Sequence, residues 1–265
     1  MLLQPEYEYS ARSSKSAYYV IGVDVGRKGC TTEITIIKVT PQVQGSSLKA
    51  VVNLYSKDAE HFEEQAIFLK KLYYKYKARV LAIDANGLGI GLIDFMVKSQ
   101  IDPETGETLP DFGVENDEEN FYKQYKTLDT ESDAMFLIKA NTTINTEAHT
   151  YVQTQLTSGK IKFLIDENQA KVKLMSTKVG QQMDADKRAE HLKPFTLTTI
   201  LREQMLNLKE ENEGFNIILK QATKGIPKDK FSALEYGLYY VKKTEDKKRG
   251  RKTRDFSKMA FFSQN

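Results

Sequence analysis

The chain has 265 residues, 40% hydrophobic and 28% charged, with 39 Lys plus Arg against 36 Asp plus Glu and a formal charge of +3, a balance that suits a globular chain with a sizeable core and excludes global disorder. A single cysteine, Cys30, excludes a disulfide scaffold or a cysteine-built zinc module, and His61, His149 and His191 lie too far apart for metal-ligand spacing. No apolar run is long enough to cross a membrane and Met1 to Ser16 has no signal-peptide core, so the expected compartment is reducing and cytoplasmic.

In chain order, residues 1–17 read as a linker or lead-in segment. Tyr18 to Val25 is an apolar run interrupted only at Asp24, the pattern of a strand buried on both faces. After a glycine-flanked turn, Thr31 to Val39 alternates apolar and polar, which predicts a hairpin partner. Leu48 to Tyr55 reads as a third strand following Gly45-Ser46-Ser47. From 59 to 77 the period becomes helical, with Phe62, Ala66, Leu69, Tyr73 and Tyr76 on one stripe. Val80 to Asp84 predicts a short buried strand, and Leu88 to Lys98 a helix opened by a glycine-rich turn. Asp102 to Glu119 holds eight acids, no base, and four Pro or Gly residues; it reads as an acidic loop, which should lie away from the path of any polyanion or move when one binds.

A long helix is predicted from about Glu131 to Leu156, with Ala134, Leu137, Ile144, Ala148 and Tyr151 on its apolar face. A strand over Lys160 to Ile165 follows, then a polar, mobile loop over about 166–190. A helix over Phe195 to Lys209, a strand over Phe215 to Lys220, and a final helix from Lys228 to Lys242 after Pro227 complete the pattern. Residues 242–254 hold eight bases against Glu245 and Asp246. The remainder of the chain is slightly acidic, so the basicity belongs to a C-terminal tail over 244–265. Such a tail attracts phosphates without reading sequence and is expected to be solvated and poorly ordered. Three antiparallel strands followed by strands that alternate with helices predict an α/β fold. Its mixed sheet has five or more strands and helices on both faces, in one domain over 18–243.

Three carboxylates stand where chemistry is expected. Asp24 ends the apolar string Ile21-Gly22-Val23-Asp24-Val25-Gly26. Asp84 closes the strand of Val80-Leu81-Ala82-Ile83-Asp84-Ala85-Asn86-Gly87, at the carboxyl edge where open α/β sheets bind ligands. Asp229 opens a helix in Lys228-Asp229-Lys230-Phe231-Ser232-Ala233. Taken singly, each is explained as a turn residue or a helix-start acid. Together they can converge, because the first strand can lie beside the strand of Asp84 and the last helix can cross both. Converging carboxylates repel one another unless a cation neutralises them, and such oxygen donors suit Mg²⁺ or Mn²⁺. Two such ions clamp the attacking and leaving oxygens of a phosphodiester hydrolysis.

These three strings, in this order, spacing and element context, resemble the nuclease domain of the large terminase subunit of tailed bacteriophages, over roughly residues 18–243. The resemblance implies an RNase H-like (RuvC-like) fold. It also implies that Asp24, Asp84 and Asp229 are the catalytic residues and hold two Mg²⁺ or Mn²⁺ ions for cutting double-stranded DNA during genome packaging. It implies further partners: the terminase ATPase domain, the small terminase subunit and the portal protein, in the cytoplasm of an infected bacterial host. No G-x-x-x-x-G-K-[ST] stretch occurs, so the chain is expected to be the nuclease part without its motor, monomeric in isolation.

Arg27 and Lys28 after Asp24, Asn86 after Asp84, and Lys228 and Lys230 around Asp229 are candidate DNA contacts, against the plainer alternatives of charged turns and solvated helix starts. His191 is a candidate proton shuttle and Asp184 with Asp186 a candidate extra ligand pair, each with a surface role as the alternative. Tyr7, Tyr9, Tyr73, Tyr74, Tyr239 and Tyr240 could stack on bases, although core packing explains them more simply. Three competing functions remain open from sequence. One is an actin-like or sugar-kinase-like ATPase, because Gly22-Val23-Asp24-Val25-Gly26 with Thr31-Thr32 partly fits a phosphate hairpin. Another is a Holliday-junction resolvase of the same fold. The third is a non-catalytic DNA-binding module acting through its basic tail.

Overall fold

The computed structural model describes residues 17–26, 30–58 and 61–259, with side chains as far as Gly250. Strands β1 (Tyr18–Asp24), β2 (Thr32–Thr40) and β3 (Leu48–Lys57) form an antiparallel meander, with an irregularity in register between Ile36 and Ile37. Helix α1 (Phe62–Tyr76) returns the chain to β4 (Val80–Asp84), which pairs parallel to β1. Helix α2 (Leu88–Met96) and a small hairpin of β5 (Gln100–Ile101) and β6 (Thr108–Leu109) follow. Edge strand β7 (Phe112–Val114) and strand β8 (Glu131–Ile138) then extend the sheet in parallel beyond β4. After α3 (Thr142–Thr157), β9 (Ile161–Lys162) adds parallel to β3, giving the order β7-β8-β4-β1-β2-β3-β9. The remainder comprises α4 (Glu167–Met175), α5 (Lys178–Gln182), α6 (Ala185–Leu206), the separate hairpin of β10 (Leu208–Glu213) and β11 (Asn216–Gln221), and α7 (Asp229–Met259). A β1-β2-β3 meander flanked by parallel strands, with helices on both faces, is the mixed α/β sheet that the sequence pattern predicts and the RNase H-like arrangement that the resemblance implies.

Alternation along the strands divides the core in two. Val20, Val80 and Ala82 pack beneath α3, α6 and α7, while Ile21, Val23, Leu81 and Ile83 pack beneath α1 and α2. Both faces of the central strands are therefore apolar, which is why β1 and β4 read as unbroken hydrophobic runs. Helix α7 lies directly on β1 because Gly22 has no side chain. A Cβ there would stand 1.9 Å from the Ala233 carbonyl oxygen, and the opposing helix residue is Gly237.

Four expectations change. The helix expected from Glu131 to Leu156 is a strand, β8, followed by a break at 139–141 and then α3. The run Ala134-Met135-Phe136-Leu137-Ile138 is buried on both faces, and a short apolar run of that kind has no period to separate strand from helix. Asn141 marks the true helix start, its side chain accepting from the Ile144 amide at 2.9 Å. The stretch expected as loop over 166–190 is helical. Asp166, Thr177 and Asp184 each cap a helix by accepting the amide three residues on, so its scattered polar residues are caps and exposed faces. The strand expected near Phe215 gains a partner, β10, where Leu208 and Lys209 were expected to end a helix. The basic segment, expected as a poorly ordered tail, continues α7 as helix to Met259. The acidic stretch 102–119 is largely loop, carrying β6 and β7. The lead-in residues 1–16, with Tyr7 and Tyr9, lie outside the described residues. Among the described residues no helix is long and apolar enough to cross a membrane.

Candidate active site

Parallel pairing of β1 with β4 places Val23 beside Ile83, so the two strands end together on Asp24 and Asp84. Asp229 is the first residue of α7, which rests on β1 through the Gly22 contact. Asp24, Asp229, Lys228, Ser232, Glu235 and Tyr236 share the wall of an open cavity of about 350 Å3, closed on its far side by α3 and β11. The three sequence-selected carboxylates come from three elements to one end of the sheet, Asp24 and Asp229 on the cavity wall and Asp84 beside it, on the neighbouring strand.

Their electrostatics register the crowding. Burial, then the carboxylates of Asp229, Asp84 and Glu33, push the Asp24 carboxyl up to about 7. Asp84 is also raised, by burial, against the Asn86 amide and the Tyr236 hydroxyl, which donate to its charged form. Asp229 is raised by burial and by Glu33, while Lys230 and Lys228 pull it back. Burial and the neighbouring Asp84 and Asp24 hold the Tyr236 phenol protonated, so it serves Asp84 as a donor. An excess of buried negative charge with too few counter-charges is the donor chemistry of a hard divalent cation. Among the described residues no group of three or more His, Cys, Asp or Glu side chains stands close enough together, as placed, to hold a metal ion.

The other selected residues divide. Lys228 is exposed at the cavity wall. Lys230 is not available to DNA: it is buried, its ammonium 2.7 Å from Glu33 Oε1. Asn86 is a structural turn residue, its amide nitrogen donating to the Asp84 carboxylate at 3.0 Å and its side chain to the Ala140 carbonyl at 2.9 Å. Gly89 completes that turn, since a Cβ there would lie 1.7 Å from the Asp84 carbonyl oxygen. Arg27 and Lys28 lie outside the described residues. Asp184 caps α6 and Asp186 lies in its first turn, so this pair starts a helix. His191 lies within α6 and is absent from the cavity wall. Tyr73, Tyr239 and Tyr240 are buried in the two cores, and Tyr74 is partly exposed.

Sequence reasoning missed four residues. Glu33 faces Asp24 across the β1–β2 pair, a register that a hairpin turn centred on 28 and 29 would have supplied. Tyr236 lies inside the predicted final helix and carries no sequence signal of its own. His149 on α3 and Glu235 on α7 line the cavity and contact each other through Nδ1 and Oε1. Burial raises the Glu235 carboxyl, and His149 partly offsets it. Only the packing of α3 against α7 joins these last two, 86 residues apart.

No family model matches the chain, and no curated protein matches it. Among solved structures, its fold is similar to the large terminase nuclease from thermophilic phage G20c, crystallised with bound magnesium. That match has 12% identity and a TM-score of 0.47, over 85% of this chain and 82% of that one. It is similar also to the nuclease domain of the large terminase subunit of bacterial virus Sf6, at 10% identity and a TM-score of 0.43, over 90% of this chain and 98% of that one.

Proposed function

We propose that the chain is a divalent-metal-dependent endonuclease that cuts double-stranded DNA, the nuclease part of a phage packaging terminase. The observation that carries the reading is the convergence of Asp24, Asp84 and Asp229 at the ends of β1 and β4 and the start of α7, with Asp24 raised to about 7 by burial and by its neighbours. Asp24, Asp84 and Asp229 would hold Mg²⁺ or Mn²⁺. When bound, two such ions supply the activated water and the charge neutralisation that phosphodiester hydrolysis needs.

The protein's own groups do the rest. The Tyr236 hydroxyl and the Asn86 amide orient the Asp84 carboxylate. Lys228, exposed at the cavity wall, meets a backbone phosphate. Bases contacting the backbone give little sequence preference and strong salt dependence. The order and context of the three motifs support the packaging role, with the ATPase motor, small subunit and portal as partners.

The test is cleavage of supercoiled plasmid with Mn²⁺, Mg²⁺ or EDTA, beside Asp24→Asn and Asp229→Asn. Metal-dependent nicking and linearisation should fall by about a hundredfold or more in both variants, the scale of losing a group that stabilises transition-state charge. Equal activity in all three proteins would remove the carboxylates from the chemistry. No cleavage, together with a higher melting temperature in millimolar ATP, would replace this reading with the actin-like ATPase.

A further inference from the structure

Glu33 is a fourth carboxylate at the same end of the sheet, opposite Asp24 in the β1–β2 register, yet only 3% exposed and not on the cavity wall. Its Oε1 accepts from the Lys230 ammonium at 2.7 Å, the Thr31 hydroxyl at 2.6 Å and the Ser56 hydroxyl at 2.8 Å. Lys230 immediately follows Asp229 and is itself buried. The pair therefore bolts the first turn of α7 to β2 at a point adjacent, in both chains of contact, to a proposed ligand: Asp24 across the strands from Glu33, Asp229 beside Lys230. Farther along, the helix is registered on β1 by the Gly22–Gly237 contact. The buried Phe231, Ala233 and Leu234 and the Phe231 amide, which donates to Gln204 Oε1 at 3.2 Å, seat the first turns of α7 in the core; the ion pair is a charged contact that ties the same turn to β2, on the side of Asp24. A buried ion pair has directional requirements and strongly penalises loss of either partner.

We propose that Lys230 and Glu33 are a positioning pair that holds Asp229 beside Asp24 for cation binding. Lys230 thereby also occupies Glu33, which leaves three carboxylates and not four to receive the cation. The inference rests on the metal-dependent reading above and deepens it.

The experiment is Mn²⁺ binding by calorimetry to the whole chain and to Lys230→Met, Lys230→Arg and Asp24→Asn, with folding checked by circular dichroism melting and with DNA cleavage kinetics alongside. Lys230→Met should bind Mn²⁺ at least tenfold more weakly and lose kcat while KM for DNA stays unchanged. Lys230→Arg, which keeps the charge and the donor, should stay within threefold of wild type. If the Met variant does not fold, Lys230→Gln takes its place; its amide is one bond shorter and uncharged, and the same tenfold loss is expected. Mn²⁺ affinity within threefold of wild type in the folded neutral variant overturns the positioning role while leaving the nuclease reading intact, provided wild type binds Mn²⁺ and Asp24→Asn does not. A wild-type chain that binds no Mn²⁺ overturns both.

Discussion

Two buried lysine–glutamate pairs fasten α7 to the sheet, and they differ in what surrounds them. Toward its middle, Lys49 on β3 meets Glu245 at 3.2 Å. There the Ser47 amide and the Tyr151 hydroxyl also donate to Glu245, at 2.7 and 2.9 Å, and Lys49 donates to Gln155 at 2.8 Å. Burial pulls the Glu245 carboxyl upward, but these partners outweigh it and hold it below its ordinary value. At the start of the helix, Lys230 meets Glu33 beside Asp24, Asp84 and Asp229, and all three of those aspartates are pushed upward. At one end the carboxylate is satisfied, although burial still lowers the Lys49 ammonium against the pull of Glu245, and the pair serves the fold. The other carries a surplus of negative charge that the protein does not answer. Natural sequences are locally consistent except where function requires otherwise, and such a mismatch is what the proposed active site requires.

Breaking the satisfied pair should have the largest effect on stability. Lys49→Met leaves Glu245 buried without its cation, and loss of one partner of a buried pair costs about 3–5 kcal/mol. Urea unfolding should show that loss, while Mn²⁺ affinity of the folded variant stays at the wild-type value. A loss of Mn²⁺ binding at low urea would show that the two ends are coupled through α7 and that the contrast between them is false.

Asp24→Asn should move stability in the opposite direction. The Asp24 carboxyl has an ordinary value of 3.8 in the unfolded chain and about 7 in the fold, so the folded state binds the proton more tightly. Its stabilising contribution is fully present below pH 4 and is lost as pH rises through 7. Without metal at pH 8 the wild type therefore holds a strained anion, and Asn should stabilise the protein by on the order of 2 kcal/mol, a rise of roughly 5 °C in Tm for a chain of this size. At pH 4 the two melting temperatures should coincide, and millimolar Mn²⁺ at pH 8 should raise only the wild type. An Asn variant less stable than wild type at pH 8 in EDTA would mean that Asp24 is a satisfied structural residue like Glu245.

The two ends also differ in how legible they were. Asp24, Asp84 and Asp229 could be chosen from sequence because each sits at a discontinuity, the end of an apolar run or the start of a helix after Pro227. The strands β1 to β4 were legible for the same reason. Glu33 was not: it occupies a polar position of an alternating strand, where a solvent-facing side chain is expected, and the buried cation it pairs with, Lys230, is 197 residues away. Glu235 likewise reads as the polar face of a helix until α3 brings His149 against it. Lys49 and Glu245 gave no signal, and Glu245 was set among the charges of a basic tail. Buried charge is specified by long-range partners, and hydrophobic periodicity carries no information about them.

The smallest effect is expected at Lys228, and it separates two lysines that the sequence treats alike. Lys228 and Lys230 flank Asp229, but the first is exposed at the cavity and the second is buried against Glu33. Lys228→Ala removes an exposed charge that no fold contact needs, so Tm should change by less than about 2 °C, in line with surface substitutions of about 0.5 kcal/mol or less. If Lys228 meets one phosphate, binding to duplex DNA by a metal-free protein should weaken by roughly tenfold or less, and the slope of log affinity against log salt should fall by about one. An unchanged slope would remove Lys228 from the DNA path and leave the cavity's positive charge directed only at its own carboxylates. A large fall in Tm would place Lys228 with Lys230 among the residues that hold α7 to the sheet.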